Sequence, residues 1–158
     1  MNGKAVGAIL VVSALLTGAA VYYLQVYGYY APIPASAPTA DIRLTSVVTG
    51  QPERIVAIDF QGIDATSSPL RYRGCFTTPL TLAVATESFT VYDRATPLVA
   101  PGWFDCFNAA RIGADIAAGR AVAFLSEADV VPGVDRVVAI YPDGRGFAWH
   151  QLNENAEK

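Results

Sequence analysis

Few side chains in this 158-residue chain are of types that do chemistry: two cysteines, one histidine and fourteen carboxylates. Cys75 and Cys106 lie far apart and lack the C-x-x-C spacing of a redox or metal-binding pair. A metal-binding role would have one histidine in the whole chain to help the pair. A structural disulfide is the reading that fits, and closing a loop of about thirty residues stabilises a fold by roughly 3 to 4 kcal/mol in the chain-entropy model. His150, within Phe147-Ala148-Trp149-His150-Gln151, is of a type that serves as general base or axial haem ligand. The chain has no C-x-x-C-H haem attachment and no G-x-S-x-G nucleophile elbow, so His150 reads as an ordinary strand position. A small-ligand site, as the alternative, would draw on Arg136, Trp149 and His150 of the last two β-rich runs. Asp59, Asp105 and Asp135 are carboxylates of the right type for acid–base work, but paired catalysis depends on a set separation between two of them. No catalytic, cofactor-binding or metal-ligating set is assigned, and no cofactor is expected.

A second feature is aromatic. Pro101-Gly102-Trp103-Phe104-Asp105-Cys106-Phe107 places three aromatic rings on a loop that the disulfide would hold. Exposed, Trp103 and Phe104 would serve as interface anchors; buried, they fill the core beneath the bridge, and the reading favours the core.

The element that positions everything else is at the start. Ala5 to Leu24 is an uncharged run of apolar and small residues. Twenty residues at a helical rise of about 1.5 Å cover roughly 30 Å, the thickness of a bilayer's hydrocarbon core. Residues 1–30 therefore read as a membrane anchor with membrane lipid as its partner. Lys4 is the sole basic side chain before the run and the next is Arg43, which by the positive-inside tendency leaves the N-terminus in the cytoplasm. In a bacterial inner membrane the remainder is then periplasmic. Tyr22, Tyr23, Tyr27, Tyr29 and Tyr30 suit the headgroup zone on the exported side. A cleaved signal peptide is the competing reading, with Gly18 and Ala20 as a small-x-small pair. The apolar run exceeds the usual h-region, which favours a retained anchor. Gly3, Gly7, Ala14 and Gly18 fall on one helical stripe, a smooth face on which another membrane helix can pack.

Ala31 to Ala40 carries three prolines among small residues and reads as an extended stalk. Residues 41–158 hold all fourteen acidic side chains against ten basic ones. That mildly acidic balance argues against nucleic-acid binding. About 118 residues suffice for one core. Arg43–Val48, Arg54–Phe60 and Leu70–Thr77 read as strands, the last with Leu70, Tyr72, Gly74 and Phe76 on a single buried face. Pro79–Thr86 reads as a short helix. Asn108–Gly119 is the main helix, with Asn108 as cap and Gly119 at its end. Ala121–Leu125 reads as a buried strand. Val134–Tyr141 and Gly146–Asn153 flank a Pro-Asp-Gly turn and form a hairpin. The expected class is α+β with a largely antiparallel sheet.

The opening NGKAVGAILVVSALLTGAAVYYLQVYGYY, with SSPLRYRGCFTTPL, APGWFDCF and DRVVAIYPDGRGFAWHQ, resembles a small family of uncharacterised single-span proteins of photosynthetic and related alphaproteobacteria. Some members carry the label histidine kinase. No glycine-rich nucleotide lid is present here, and the single histidine lies in a hairpin strand. The resemblance implies an inner-membrane protein with a periplasmic domain and transfers no catalytic residue. The functional expectation is a non-enzymatic accessory or assembly subunit of a respiratory or photosynthetic membrane complex, partnered through the N-terminal helix. A membrane-anchored periplasmic enzyme or small-ligand-binding domain is the alternative.

Overall fold

The computed structural model describes residues 2–156. Helix α1 runs Gly3–Tyr23 and continues through one π-helical turn, Leu24–Gly28. Asn2 caps its start, its side-chain oxygen accepting from the Lys4 N–H at 3.3 Å. No residue of α1 is buried, and Gly3–Gly28 is long and apolar enough to cross a membrane, a property that a signal sequence shares. A helix apolar on every side has no face suited to water.

The rest is α+β. In chain order its elements are β1 (Tyr30–Pro32), β2 (Arg43–Thr45), β3 (Pro52–Arg54), β4 (Ile58–Ala65), β5 (Arg73–Thr77), α2 (Leu82–Ser88), α3 (Ala109–Ala117), β6 (Val122–Val131), β7 (Val134–Ile140) and β8 (Arg145–Leu152). Six strands form one antiparallel sheet in the order β1-β4-β5-β8-β7-β6, and β2-β3 is a separate hairpin.

Each face of the large sheet carries its own core. On one, Cys75, Val137, Ala139, Phe147 and Trp149 pack with Phe104, Phe107 and Ile112 of the loop and helix α3. On the other, Tyr72, Phe76, Val138, Ile140 and Ala148 meet Ile42 and Leu44 from the hairpin side, Ala85 from α2 and Phe89 just beyond it. Strand β7 is consequently buried along its whole length. The same double cover corrects the expectation for β5: Arg73 and Cys75 are as buried as Gly74 and Phe76, because neither face meets water.

The prolines of Ala31–Ala40 do not make a free stalk. Tyr30, Ala31 and Pro32 pair with Ala65, Asp64 and Ile63 as the edge strand, and Ile33 N–H donates to the Gly62 carbonyl at 2.8 Å. Pro38–Ala40 is a 3-10 turn that buries Ala40, and the Tyr72 hydroxyl donates to the Thr39 carbonyl at 3.0 Å. Proline lacks a donor, and an edge strand is where a sheet tolerates it. Arg54–Phe60, expected as one strand, is split between β3 and β4. Asp59 has φ of 53°, and the register slips between Ile58 and Gln61, as at a β-bulge.

Local signals in the second half hold. Asn108 caps α3, its side-chain oxygen accepting from the Arg111 N–H at 3.0 Å, and Gly119 takes φ of 71° beyond the helix end. Helix α2 starts from a Thr81 cap, two residues after Pro79. The Pro-Asp-Gly turn closes β7-β8, with Gly144 at φ of 86° so near the Thr78 carbonyl that a Cβ would stand 2.7 Å from its oxygen. Helix α3 is fastened to the sheet through Asp115, which accepts from the Tyr141 hydroxyl and from Arg120 Nε, each at 2.7 Å. Those bonds hold the Asp115 carboxyl below its usual range. Burial, together with that carboxylate, pushes the Tyr141 phenol up to about 12.

Candidate functional site

Cys75 and Cys106 are joined, their Cα atoms 6.3 Å apart. The bridge links β5 to the loop before α3 and so holds the aromatic segment against the sheet. Phe104 is buried in that core, as expected. Trp103 departs from the expectation: 39% of it is exposed, and it points away from the core toward α1. Its indole N–H donates to the Val26 carbonyl at 2.7 Å. Its ring stacks on Tyr27 at 6.3 Å between centroids and meets Tyr30 edge-on at 5.9 Å.

A second side chain reaches the same place. Arg71, from the 3-10 turn Pro69–Arg71, donates through its guanidinium to the Gln25 carbonyl at 2.9 Å, bonds the Gln25 side-chain oxygen, and lies 5.2 Å above the Tyr30 ring. The last carbonyls of a helix have no partner within it and carry partial negative charge. A cationic and an indole donor from the domain satisfy two of them. The helix is thereby joined to the domain by a collar of Gln25, Val26, Tyr27, Tyr30, Arg71 and Trp103. Gly3, Gly7 and Gly18 lie on open helix surface, with nothing within 4 Å of an added Cβ, and Ala14 is exposed.

The hairpin residues are not brought together as a single site. Arg136 and His150 are cross-strand partners and share a face, whereas Trp149, the neighbour of His150, points to the opposite core. His150 stacks on Tyr72, ring centroids 4.6 Å apart, and Arg136 lies 4.3 Å above the same phenol. The Pro69 carbonyl, 2.7 Å from His150 Nδ1, can only accept, so Nδ1 carries the proton. Nε2 then accepts from Arg136 Nε at 3.0 Å. Burial, with Arg136 and Arg73 nearby, pushes the imidazole down to about 4 despite the Pro69 bond. Burial likewise pushes the Tyr72 phenol up to about 12. A neutral imidazole with its proton given and its lone pair filled has nothing left for acid–base chemistry.

Asp135 and Arg136 project to opposite faces. Asp135 accepts from the Tyr92 hydroxyl at 3.0 Å, the Asp129 N–H at 2.9 Å and the Asn153 amide at 2.8 Å. It borders an open cleft of about 920 Å³ lined also by Arg94, Asp129 and Gln151. Gln151 is committed to Thr96 N–H, Trp149 Nε1 and the Arg94 carbonyl. Asp59 sits in the bulge and Asp105 beside the disulfide, so the three carboxylates form no pair. Among the described residues no three His, Cys, Asp or Glu side chains cluster as a metal site, and no buried side-chain polar atom lacks a hydrogen-bond partner.

Sequence reasoning missed Arg71 and Gln25. The basic Arg71 just before a strand carried no signal of its own. The tyrosine cluster and Trp103 are both visible in the sequence, but the Trp103–Val26 bond that brings them together spans 77 positions.

Fold and collar together define a class: a disulfide-stapled α+β domain led by an apolar helix of membrane-crossing length, the two joined by side-chain caps. The chain belongs to the family of unknown function DUF6446, whose model matches residues 42–158, the domain without α1 or β1. No curated protein and no solved structure matches it.

Proposed function

We propose that this is a single-pass protein of a bacterial inner membrane, N-terminus cytoplasmic and domain periplasmic, serving as a non-enzymatic accessory or assembly subunit of a membrane complex. The observation that carries the reading is the collar. Arg71 and Trp103 fasten the domain to the end of an apolar helix with no buried residue. A domain joined to its anchor in this way suits a part that holds position within a membrane assembly. The disulfide supports an oxidising compartment for the domain, and the Lys4 side of the span supports a cytoplasmic N-terminus. The open stripe of Gly3, Gly7, Ala14 and Gly18 is the face we assign to a partner helix.

The test is purification of the tagged full-length protein from its native membrane in mild detergent, with mass spectrometry of what accompanies it. A stoichiometric membrane partner, lost in the Gly7→Leu, Gly18→Leu double variant, is the expected result. A clean monomer, or a partner indifferent to both substitutions, would overturn the assignment.

A further inference from the structure

The loop between α2 and α3 has one stretch of unusual composition. Thr96 to Phe104, TPLVAPGWF, contains no charged residue, yet it lies on the surface: Val99 is 81% exposed, Trp103 is 39% exposed, and Gly102 is exposed between two half-buried or open neighbours. Apolar side chains held in the open by a rigid support point to an apolar or interfacial partner.

The support is rigid. Arg73, itself buried, donates from Nε to the Leu98 carbonyl at 2.8 Å and from its terminal nitrogen to the Val99 carbonyl at 3.1 Å. At the far end Phe104 is buried and Cys106 is bonded to Cys75. Burial lowers the Arg73 guanidinium only to about 10, so it keeps its charge and its grip on both carbonyls at neutral pH.

The location selects the partner. Trp103 Nε1 is bonded to Val26, two residues beyond Leu24, the last residue of the uncharged run. Val26 lies in the π-helical turn that ends the apolar helix Gly3–Gly28. An indole at this height lies where hydrocarbon gives way to headgroups, the depth at which tryptophan and tyrosine concentrate. Arg71, bonded to Gln25 at nearly the same height, is placed to meet lipid phosphates.

We propose that the loop Pro97–Phe104 is a second membrane contact, in which Trp103 seats in the interfacial zone of the phospholipid leaflet where α1 ends and holds the domain down on that surface. This rests on α1 spanning a membrane. The collar then does more than join two parts: it makes helix and loop a two-point attachment, and the domain keeps one orientation toward the bilayer.

The chain has two tryptophans, and Trp149 is fully buried, so their emissions separate. The full-length protein is reconstituted into phosphatidylcholine vesicles whose lipids carry bromine near the headgroup end or near the methyl end of the acyl chain. Flotation of the vesicles reports whether α1 is inserted. We expect co-flotation and at least a roughly two-fold loss of Trp103 emission with shallow bromines, less with deep ones, as suits an interfacial indole. Trp103→Phe should abolish that quenching, and Trp149→Phe should keep it. Protein that floats but whose Trp103 emission ignores both bromolipids and yields to an aqueous quencher overturns the loop contact and leaves the anchor standing. Protein that fails to float overturns both.

Discussion

Two clusters in this molecule set an arginine over a tyrosine ring beside a second aromatic group, and they differ in what is left over. Arg136 lies 4.3 Å above Tyr72, next to His150; Arg71 lies 5.2 Å above Tyr30, next to Trp103. In the first cluster every ring is buried, and His150 has both nitrogens engaged. In the second the donors reach outward to Gln25 and Val26, and Trp103 keeps an exposed face. The residues that look chemical by type are thus buried in the sheet, and the ones that look like filler join the domain to the apolar helix. Both clusters have their donors engaged, and what separates them is burial: Trp103 keeps an exposed face, whereas Tyr72 and His150 are enclosed.

Replacing Arg136 with Ala probes the buried cluster most severely. It empties a packed site and leaves His150 Nε2 without its donor, for an expected loss of roughly 2 to 4 kcal/mol in thermal unfolding of the detergent-solubilised protein. Full stability in that variant would show that the cluster is not what holds the hairpin to β5.

A smaller effect sharpens the comparison by pH. Folding lowers the His150 value from 6.5 to about 4. Below 6.5 the unfolded chain takes up a proton that the folded chain refuses, so stability falls as pH drops toward 4 and is unaffected by this group above 6.5. The slope is at most about 1.4 kcal/mol per pH unit. Urea unfolding across this range should show it in the parent and lose it in His150→Gln. Equal slopes in the two proteins would contradict the buried, neutral imidazole.

The smallest effect belongs to the collar. Arg71→Ala should change global unfolding by less than about 1 kcal/mol, since a half-exposed cation at a helix end contributes little to stability. Spin labels on Ser13 and Thr86 should nevertheless report a broader distance distribution, because the domain has lost one of its two caps. An unchanged distribution would mean that the Trp103 cap and the β1 pairing fix the domain without Arg71.

Much of the fold was legible because its signals are local. The Asn108 cap, the Gly119 terminus and the Pro-Asp-Gly hairpin each depend on a few adjacent residues whose backbone preferences decide the outcome. The candidate site is half legible: the tyrosine cluster and Trp103 each stand out in the sequence, but nothing local distinguishes Trp103 from a core residue such as Phe104. Arg71, in the middle of an alternating run, gave no reason to expect a helix cap forty-six positions away.

By itself the sequence determined the apolar helix, whose uncharged length is enough to cross a membrane, and the one intramolecular pairing open to a disulfide, Cys75 with Cys106. Only the tertiary structure decided that Tyr30–Pro32 is a strand and not a stalk, that Arg73 and His150 are buried, and that Trp103 closes on Val26. Each of these follows from which segments pair across the sheet and which layers cover its two faces. That choice is made by contacts between distant parts of the chain, and no local preference encodes it.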